Sequence, residues 1–210
     1  MKIPWFTVAV CLLLGGMVYS LCVNSTDTVT VQLVSNLLPR VVCLESDGWL
    51  GSGVFVGDDL ILTVRHVAED ANNLYAVGAD GVRYPVVSVT LCQDGNDLVL
   101  ARVKTPVIEP GVRLGAAVVG ETVTHIGYPL TEGPTVTRGI ISRVNADVPQ
   151  LGSVRMIQTD AYADHGSSGG PIFDEHGELL GVVVGVMEPG MTFCIGAEAI
   201  KKFFADSGVK

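Results

Sequence analysis

The sequence is poor in basic residues, in aromatic residues and in cysteines at metal-binding spacings. Lysine and arginine number 13 against 22 acidic residues, which gives a net charge of −9. Nucleic-acid binding needs a basic stripe, so this balance argues against it, and it also argues against recruitment by anionic lipid. The five cysteines fit no zinc pattern, and we expect neither a metal nor another cofactor. Beyond residue 23 only Cys43, Cys92 and Cys194 remain, in apolar segments typical of buried free thiols.

The chain also lacks βαβ units, solenoid repeats and low-complexity tracts. It consists instead of short apolar runs separated by turn residues, a pattern typical of β-strands. The first six runs lie at residues 41–44, 51–56, 60–63, 74–77, 82–90 and 98–103. The second six lie at residues 123–126, 135–144, 154–158, 171–173, 179–187 and 192–195. Two such sets predict an all-β protein with two barrels side by side, closed by a short helix at residues 198–205.

The first 23 residues form a separate segment. Lys2 precedes an apolar run at residues 5–23, and the residues at 18–20 suit cleavage of a secretory signal. The run is also long enough to cross a bilayer once, so an uncleaved membrane anchor stays open. Either interpretation predicts an extracytoplasmic location: secreted, periplasmic or membrane-anchored. A buried helix in a cytosolic protein is the remaining alternative.

These observations divide the chain into four parts. Residues 1–23 are the signal peptide or membrane anchor, and residues 24–36 are a linker and N-terminal segment, in which residues from 29 onward suit either a helix or a strand. Residues 37–115 are assigned to the first barrel, which ends in a connector rich in proline and glycine. Residues 116–210 are assigned to the second barrel with its C-terminal helix.

One glycine-rich stretch has the composition of a catalytic turn: Asp-His-Gly-Ser-Ser-Gly-Gly-Pro at residues 164–171. Glycine permits positive φ and close approach of the backbone to a ligand. Successive main-chain N–H groups in such a turn can hold an anion, and a serine among them is a candidate nucleophile beside an oxyanion hole. Taken alone, the stretch also fits an ordinary hairpin loop.

Two further residues supply what a serine nucleophile needs. His66 is placed at the end of a buried apolar strand, and Asp97 opens another apolar run, with Asp94 as an exposed rival. A serine hydroxyl is a weak nucleophile and requires a positioned base, which imidazole can be near neutral pH. An aspartate can orient the ring and stabilise the imidazolium. Of the other histidines, His125 is interpreted as packed and hydrogen-bonded, and His176 as solvated. The spacing does not settle which way the His165 side chain points.

Eight segments in order resemble the trypsin-like (chymotrypsin-fold) serine proteases, and within them the HtrA/Deg branch. They lie at residues 51–56, 61–67, 97–100, 126–130, 136–142, 157–161, 166–171 and 177–181. The resemblance covers about residues 37–205. Each segment alone is weakly specific, whereas the ordered set is strongly specific.

The resemblance implies two six-stranded antiparallel β-barrels with the active site in the cleft between them. His66 and Asp97 would come from the first barrel and Ser168 from the second, with the N–H groups of Gly166 and Ser168 forming the oxyanion hole. Five residues would bound the substrate pocket: Tyr162, Ala163, Val184, Gly185 and Val186. No acidic residue stands at the position that selects basic side chains, so we expect small or medium aliphatic residues before the cut.

The implied activity is that of a serine endopeptidase acting through an acyl-enzyme on polypeptides, unfolded proteins among them. Ser167 replaces the usual Asn or Asp, which we expect to be tolerated because that position contributes mainly backbone. The sequence leaves no room after its terminal helix for the PDZ domain that this branch often carries, and it leaves oligomerisation open. Two other functions also stay open: a non-catalytic binding module and a serine esterase on the same fold.

Overall fold

The computed structural model describes residues 25–69, 71–104, 111–131, 133–151 and 153–209. Within these residues twelve strands close into two antiparallel barrels of six strands each, and a short helix ends the fold. The fold class predicted from the sequence is therefore confirmed. Residues 5–23 lie outside the described part, so the signal peptide or membrane anchor stays a prediction. No helix in the described part is long and apolar enough to cross a membrane.

An N-terminal helix, α1, spans Ser25–Leu37 and continues into a 3-10 turn at Leu38–Arg40. It occupies the segment that the sequence left open between helix and strand. Leu33 and Leu37 lie one turn apart and both point at Gly177, in a turn of the second barrel. The structure therefore decides this segment in favour of the helix, which lies against the second barrel through these two leucines.

Six strands build the first barrel: β1 (Val41–Ser46), β2 (Trp49–Phe55), β3 (Leu60–Thr63), β4 (Tyr75–Val77), β5 (Arg83–Leu91) and β6 (Val99–Val103). They pair in the order β1–β2–β3–β6–β5–β4, and pairing of β4 with β1 closes the barrel. A one-turn helix, α2 (Arg65–Ala68), follows β3. Strands β1, β2, β3, β4 and β6 each bury aliphatic or alanine side chains completely, as their apolar runs predicted, whereas β5 buries none and exposes Val87 and Val89.

Six more strands build the second barrel: β7 (Thr122–Gly127), β8 (Thr135–Val148), β9 (Ser153–Thr159), β10 (Pro171–Phe173), β11 (Leu179–Val186) and β12 (Thr192–Gly196). Their order is β10–β11–β12–β9–β8–β7, closed by β7 on β10. Strand β8 runs four residues beyond its predicted end and pairs irregularly with β9. The final helix, α3 (Ala197–Asp206), buries Ile200 and Phe203 on one face.

Apolar packing joins the two barrels. One buried cluster contains most of the first barrel's interior and continues through Ile126 and Tyr128 into the second barrel. The Tyr128 hydroxyl donates to the Val41 carbonyl across this boundary, at 3.3 Å. The barrels therefore meet along the β1 and β7 sides, and the loops beside this boundary are held in a fixed relation.

The three described cysteines, Cys43, Cys92 and Cys194, are free and buried, as the sequence predicted. Burial raises the pKa of the Cys43 thiol to about 12 and also raises that of Cys194. A thiol with so high a pKa carries almost no thiolate at neutral pH, and thiolate is the reactive form. These cysteines therefore act as small apolar core residues.

Candidate active site

His66 and Asp97 form a hydrogen-bonded pair on the first barrel. His66 Nδ1 lies 2.6 Å from Asp97 Oδ2, and the main-chain N–H of His66 donates to Asp97 Oδ1 at 3.1 Å. An ionised carboxylate can only accept, so Nδ1 carries the proton and Nε2 is left as an acceptor. The pair therefore holds the imidazole in the tautomer that a general base requires.

The local backbone at His66 differs from the sequence prediction. The sequence placed His66 at the end of a buried strand, but β3 ends at Thr63 and His66 belongs to α2. That placement was wrong because Val67 and Ala68 are buried, and a turn of helix directs both inward while His66 faces solvent on the other side. The same turn aims the His66 main-chain N–H at Asp97.

The environment of Asp97 keeps its carboxyl ionised. Burial is the largest single influence and by itself raises the pKa of Asp97. The hydrogen bond and positive charge of His66, together with the main-chain N–H groups of His66 and Arg65, outweigh it and hold the pKa below its ordinary value. Asp97 is therefore an acceptor for His66 throughout the neutral range.

The glycine-rich loop of the second barrel, residues 164–171, packs directly against the first barrel. The Ser52 main-chain N–H, on β2, donates to the Ser168 carbonyl at 2.7 Å. A Cβ on Gly169 would lie 2.1 Å from the Ser52 carbonyl oxygen and 2.2 Å from Thr63 Oγ1, so only glycine fits there. Gly169 also has φ +84, which a larger side chain rarely adopts. Ser168 is thereby fixed against β2 and β3.

Packing around Gly51 brings the two parts of the site close together. A Cβ on Gly51 would lie 2.4 Å from Val67 Cγ1, so α2 rests on this glycine. Val67 follows His66 in the chain, and Gly51 precedes Ser52, which binds the Ser168 carbonyl. The helix that carries the imidazole and the loop that carries Ser168 therefore pack on consecutive residues of one strand.

The Ser168 hydroxyl itself is hydrogen-bonded elsewhere. Ser168 Oγ donates to the Val184 carbonyl at 3.3 Å, longer than the usual O–H···O distance of about 2.7 Å. Among the hydrogen bonds of the described residues, none joins Ser168 to His66. The structure thus brings His66 and Asp97 together and leaves the third predicted residue weakly bonded on the adjoining loop. Catalytic hydrogen bonds are often long or absent before substrate binds.

Two main-chain N–H groups of the loop are free to bind an anion. The His165 carbonyl accepts from the Leu130 N–H at 2.9 Å, and the Ser167 carbonyl accepts from the amide three residues further on, at 2.8 Å. In a trans peptide the C=O and the following N–H point in opposite directions. The N–H groups of Gly166 and Ser168 therefore point away from these partners, and neither has an acceptor within the described chain.

The five residues predicted to bound a substrate pocket differ in exposure. Ala163 and Val184 are buried, Gly185 is half-buried, and Tyr162 and Val186 are exposed. Apart from the Tyr162 hydroxyl, their side chains are apolar. That hydroxyl is the donor in a 2.7 Å hydrogen bond to the carboxylate two residues on. These exposures describe the five residues, and their role in binding substrate stays a prediction.

His125 packs between the pocket segment and the glycine-rich loop. Its Nδ1 lies 3.1 Å from the Tyr162 carbonyl, and its Nε2 lies 2.9 Å from the positions that a Cβ would take on Gly127 and on Gly170. Burial lowers the pKa of His125 to about 4, although its hydrogen bond to Tyr162 opposes this. The sequence predicted a packed, hydrogen-bonded histidine, and Nε2 has no partner in the described chain.

Sequence reasoning missed three contributors to the geometry of the loop. Ser167 was expected to contribute mainly backbone, but its buried hydroxyl accepts the Asp164 N–H at 3.2 Å. Leu130 has φ +55, and its N–H fixes the His165 carbonyl. Ser52 binds the loop through both main chain and side chain. A Gly-Ser-Gly triplet at residues 51–53 was the available signal for Ser52, but no pattern indicates the positive φ of a leucine.

Comparison with protein families gives one match over most of the chain. Residues 51–182 match the profile described as Trypsin-like peptidase domain. Serine protease HTRA1 of Xenopus tropicalis is 34% identical over 165 residues, which cover 75% of this chain and 36% of that protein. Mitochondrial serine protease HTRA2 of Bos taurus is 34% identical over 161 residues, covering 73% and 35%. The chain spans about a third of the length of these relatives.

Solved structures with the same architecture include two bacterial proteins. The serine endoprotease from Yersinia pestis aligns with a TM-score of 0.69 and 26% identity, covering 84% of this chain and 67% of that one. The Rv3671c protease, in an inactive form, aligns with a TM-score of 0.74 and 24% identity, covering 87% and 95%. The second likeness is evidence for the fold alone.

Proposed function

Because the chain belongs to the trypsin-like peptidase family, we propose that it is a serine endopeptidase that cuts polypeptides with Ser168 as nucleophile. His66 is the general base, and Asp97 orients it and stabilises its charged form. One observation carries the proposal: His66 Nδ1 and Asp97 Oδ2 are 2.6 Å apart on the first barrel, whose strand β2 also binds the Ser168 main chain.

The reaction proceeds in two halves. In the first, His66 Nε2 takes the Ser168 hydroxyl proton while Oγ attacks the carbonyl carbon of the scissile peptide. The Gly166 and Ser168 N–H groups bind the oxygen that becomes negative. The tetrahedral species collapses when His66 gives the proton to the departing amine, which leaves an ester on Ser168. In the second half, His66 deprotonates a water that attacks the ester, and the proton returns to Ser168.

The pocket supports a preference for small or medium aliphatic residues before the cut. Ala163 and Val184 are buried apolar residues, and Val186 is an apolar residue with part of its side chain exposed. An extended substrate would pair its main chain with β11 near Val186, beyond the point where the pairing of β11 with β10 ends at Val182, and such pairing supplies affinity without reading side chains. Such binding suits unfolded polypeptides, which can adopt an extended conformation at little cost.

We also propose an extracytoplasmic location. This part of the proposal rests only on the apolar run at residues 5–23, which suits a cleaved signal or a single anchor. Amino-terminal sequencing of the mature protein after expression in a secreting host tests it. A mature chain that begins near residue 21 indicates a cleaved signal, whereas an intact apolar run in the membrane fraction indicates an anchor, and recovery from the cytosol would contradict both.

A fluorophosphonate probe tests the nucleophile. We expect covalent labelling of Ser168 in the purified chain, located by mass spectrometry of the peptide, together with cleavage of casein. Ser168→Ala should abolish labelling and lower kcat by about 10⁶-fold, because no other group supplies a nucleophile. The adjacent Ser167→Ala is the matched control and should keep the label on its neighbour.

Three outcomes separate the functional alternatives. Cleavage that persists in Ser168→Ala would overturn the assignment of the nucleophile. Labelling of Ser168 with ester hydrolysis and no cleavage of any peptide in a random peptide library would make the protein an esterase. Absence of both labelling and cleavage in the folded protein would favour a binding module.

A further inference from the structure

Ser52 is buried at the boundary of the two barrels and uses every hydrogen-bonding group it has. Its main-chain N–H binds the Ser168 carbonyl, and its own carbonyl accepts from Thr63 Oγ1 at 2.8 Å. Its hydroxyl accepts the Tyr128 N–H at 2.9 Å and donates to the Gly166 carbonyl at 2.7 Å. Ser52, a residue of the first barrel, is thus hydrogen-bonded to the carbonyls of Gly166 and Ser168, on either side of Ser167 in the loop that carries the proposed nucleophile.

The direction of the Ser52 hydroxyl proton is fixed by its surroundings. The Tyr128 N–H can only donate, so it occupies a lone pair of the hydroxyl oxygen. The proton is then directed at the Gly166 carbonyl, 2.7 Å away. Ser52 is fully buried, and no bulk water replaces this donor if it is removed.

The Gly166 carbonyl belongs to the peptide that lies between the two peptides whose N–H groups are free. The peptide before it ends in the Gly166 N–H, and the peptide after it ends in the Ser168 N–H. Rotation of the middle peptide would turn both neighbours, because each shares a Cα with it. The carbonyls of the two outer peptides have donors of their own. The His165 carbonyl accepts from the Leu130 N–H, and the Ser167 carbonyl accepts from the Gly170 N–H within the loop. The Ser52 hydroxyl fixes the middle carbonyl, and the N–H of the same peptide, that of Ser167, donates to the Asp164 carbonyl at 2.8 Å.

We propose that Ser52 is a positioning residue for the oxyanion hole, which holds the Gly166–Ser167 peptide so that the Gly166 and Ser168 N–H groups stay directed at one oxygen. This inference rests on the proposed function. Ser52 touches neither the substrate nor the reacting atoms, and it acts through Gly166. Its effect is therefore confined to steps in which negative charge develops on the substrate oxygen.

Ser52→Ala removes the hydroxyl and leaves both main-chain hydrogen bonds of Ser52 in place. We expect kcat for a peptide substrate to fall by about 10- to 100-fold with KM changed less than about twofold, since a misplacement near 1 Å can cost about 100-fold. Affinity for a peptide aldehyde, whose hemiacetal oxygen occupies the hole, should fall by the same factor. Affinity for the corresponding product peptide should not change.

Thr159→Val is the matched structural control. Thr159 is equally buried, and its hydroxyl also bridges one carbonyl and one amide, donating to Ile140 at 2.7 Å and accepting from Ala161 at 3.1 Å. We expect both variants to lose similar stability in urea unfolding. Only Ser52→Ala should lose kcat and aldehyde affinity, whereas Thr159→Val should stay within about twofold of the parent protein.

The outcomes distinguish this inference from the proposed function. If the parent protein is neither labelled nor active, the proposed function fails. If the parent is active and Ser52→Ala binds the aldehyde as tightly as the parent, the positioning role fails while the proposed function stands. Equal losses of kcat in both variants would also overturn it, because the effect would then come from stability alone. If Ser52→Ala does not fold, Ser52→Cys takes its place, because it fills nearly the same volume and its thiol is only a weak donor to the Gly166 carbonyl.

Discussion

The two barrels share one architecture but contribute different chemistry to the site. The first barrel presents side chains: an imidazole on α2 and a carboxylate in the loop just before β6, joined at 2.6 Å. The second presents mainly main chain: a loop in which two N–H groups are left free and the carbonyls are bonded elsewhere. A side chain can be recognised from its identity in the sequence, whereas a main-chain N–H is defined only by the hydrogen bonds around it.

This difference shows how each half tolerates substitution. In the first barrel, function depends on the chemical identity of a few residues, so a conservative change of one atom can remove it. In the second barrel, apart from the Ser168 side chain itself, the proposed function depends on backbone direction, which glycine residues permit and distant donors enforce. Substitutions there act by displacing the loop, and their effects should follow from sterics and from lost hydrogen bonds.

The largest effect among the following predictions is expected for Asp97→Asn. The amide would donate to His66 Nδ1 and leave the proton on Nε2, the wrong tautomer for a base, so kcat should fall by about 10⁴-fold while the fold is kept. Asp94→Asn, in the same loop, should change kcat by less than tenfold. Steady-state kinetics with a peptide substrate measures both, and near-normal activity of Asp97→Asn would assign the role to another carboxylate.

Gly166→Ala tests the main-chain half of the comparison. Gly166 has φ +93, and a Cβ there would lie 2.4 Å from the Tyr128 carbonyl oxygen, so the loop must shift. We expect kcat to fall by about 10²- to 10³-fold, as for loss of one oxyanion donor. Gly120→Ala has a similar φ of +88 with nothing within 4 Å, and it should lose stability but keep kcat. Equal kcat in the two variants would contradict the steric argument.

His125 should make the second barrel sensitive to acid. Its folded-state pKa of about 4 lies below the ordinary value of 6.5. Between these two pH values, His125 is protonated in the unfolded chain and neutral in the folded chain. Stability should therefore fall as pH decreases from about 6.5 to about 4, by roughly 3 kcal/mol in total. Urea unfolding at several pH values measures this. His125→Asn keeps a donor toward Tyr162 but does not titrate, and an unchanged pH dependence in that variant would refute the assignment.

The smallest predicted effect concerns a buried threonine near the pocket. Thr192 Oγ1 donates to the Ala161 carbonyl at 2.8 Å, and both residues are buried. Thr192→Val leaves that carbonyl without its donor and should lower the free energy of unfolding by about 1–3 kcal/mol. Thr122→Val, at a half-buried position on β7 with no side-chain hydrogen bond in the described chain, should cost less. Urea denaturation curves compare the two.

The sequence predicted the strands well because their apolar runs are short and bounded by turn residues. It also identified His66, Asp97 and Ser168 as a candidate triad, because each has a side chain suited to its role and a recognisable neighbourhood. The extension of β8 was not predicted, since its last residues mix polar and apolar types without alternation. The helical turn at His66 was missed because it depends on Val67 packing against Gly51, a contact between helix α2 and strand β2 that no local pattern encodes.

The hydrogen bonds that shape the loop could not be predicted for a related reason. The Leu130 N–H and the Ser52 hydroxyl lie 35 and 114 residues from the carbonyls that they bind, as the positions of His165 and Gly166 show. No local pattern encodes a partner at such separation. The bond from Ser168 Oγ to the Val184 carbonyl likewise depends on how β11 lies beside the loop.

The hydrogen bond from Ser52 to the Ser168 carbonyl has a consequence for biosynthesis. The ribosome releases the first barrel before the second, and domains generally fold in that order. A nascent chain thus brings His66 and Asp97 together before the serine loop has folded. The loop forms its hydrogen bond to Ser52 only when β10 and β11 pack against the folded β2. Hydrolytic activity would then arise only at the last step of folding. A partly folded chain would therefore not cleave the part of itself that is still unfolded.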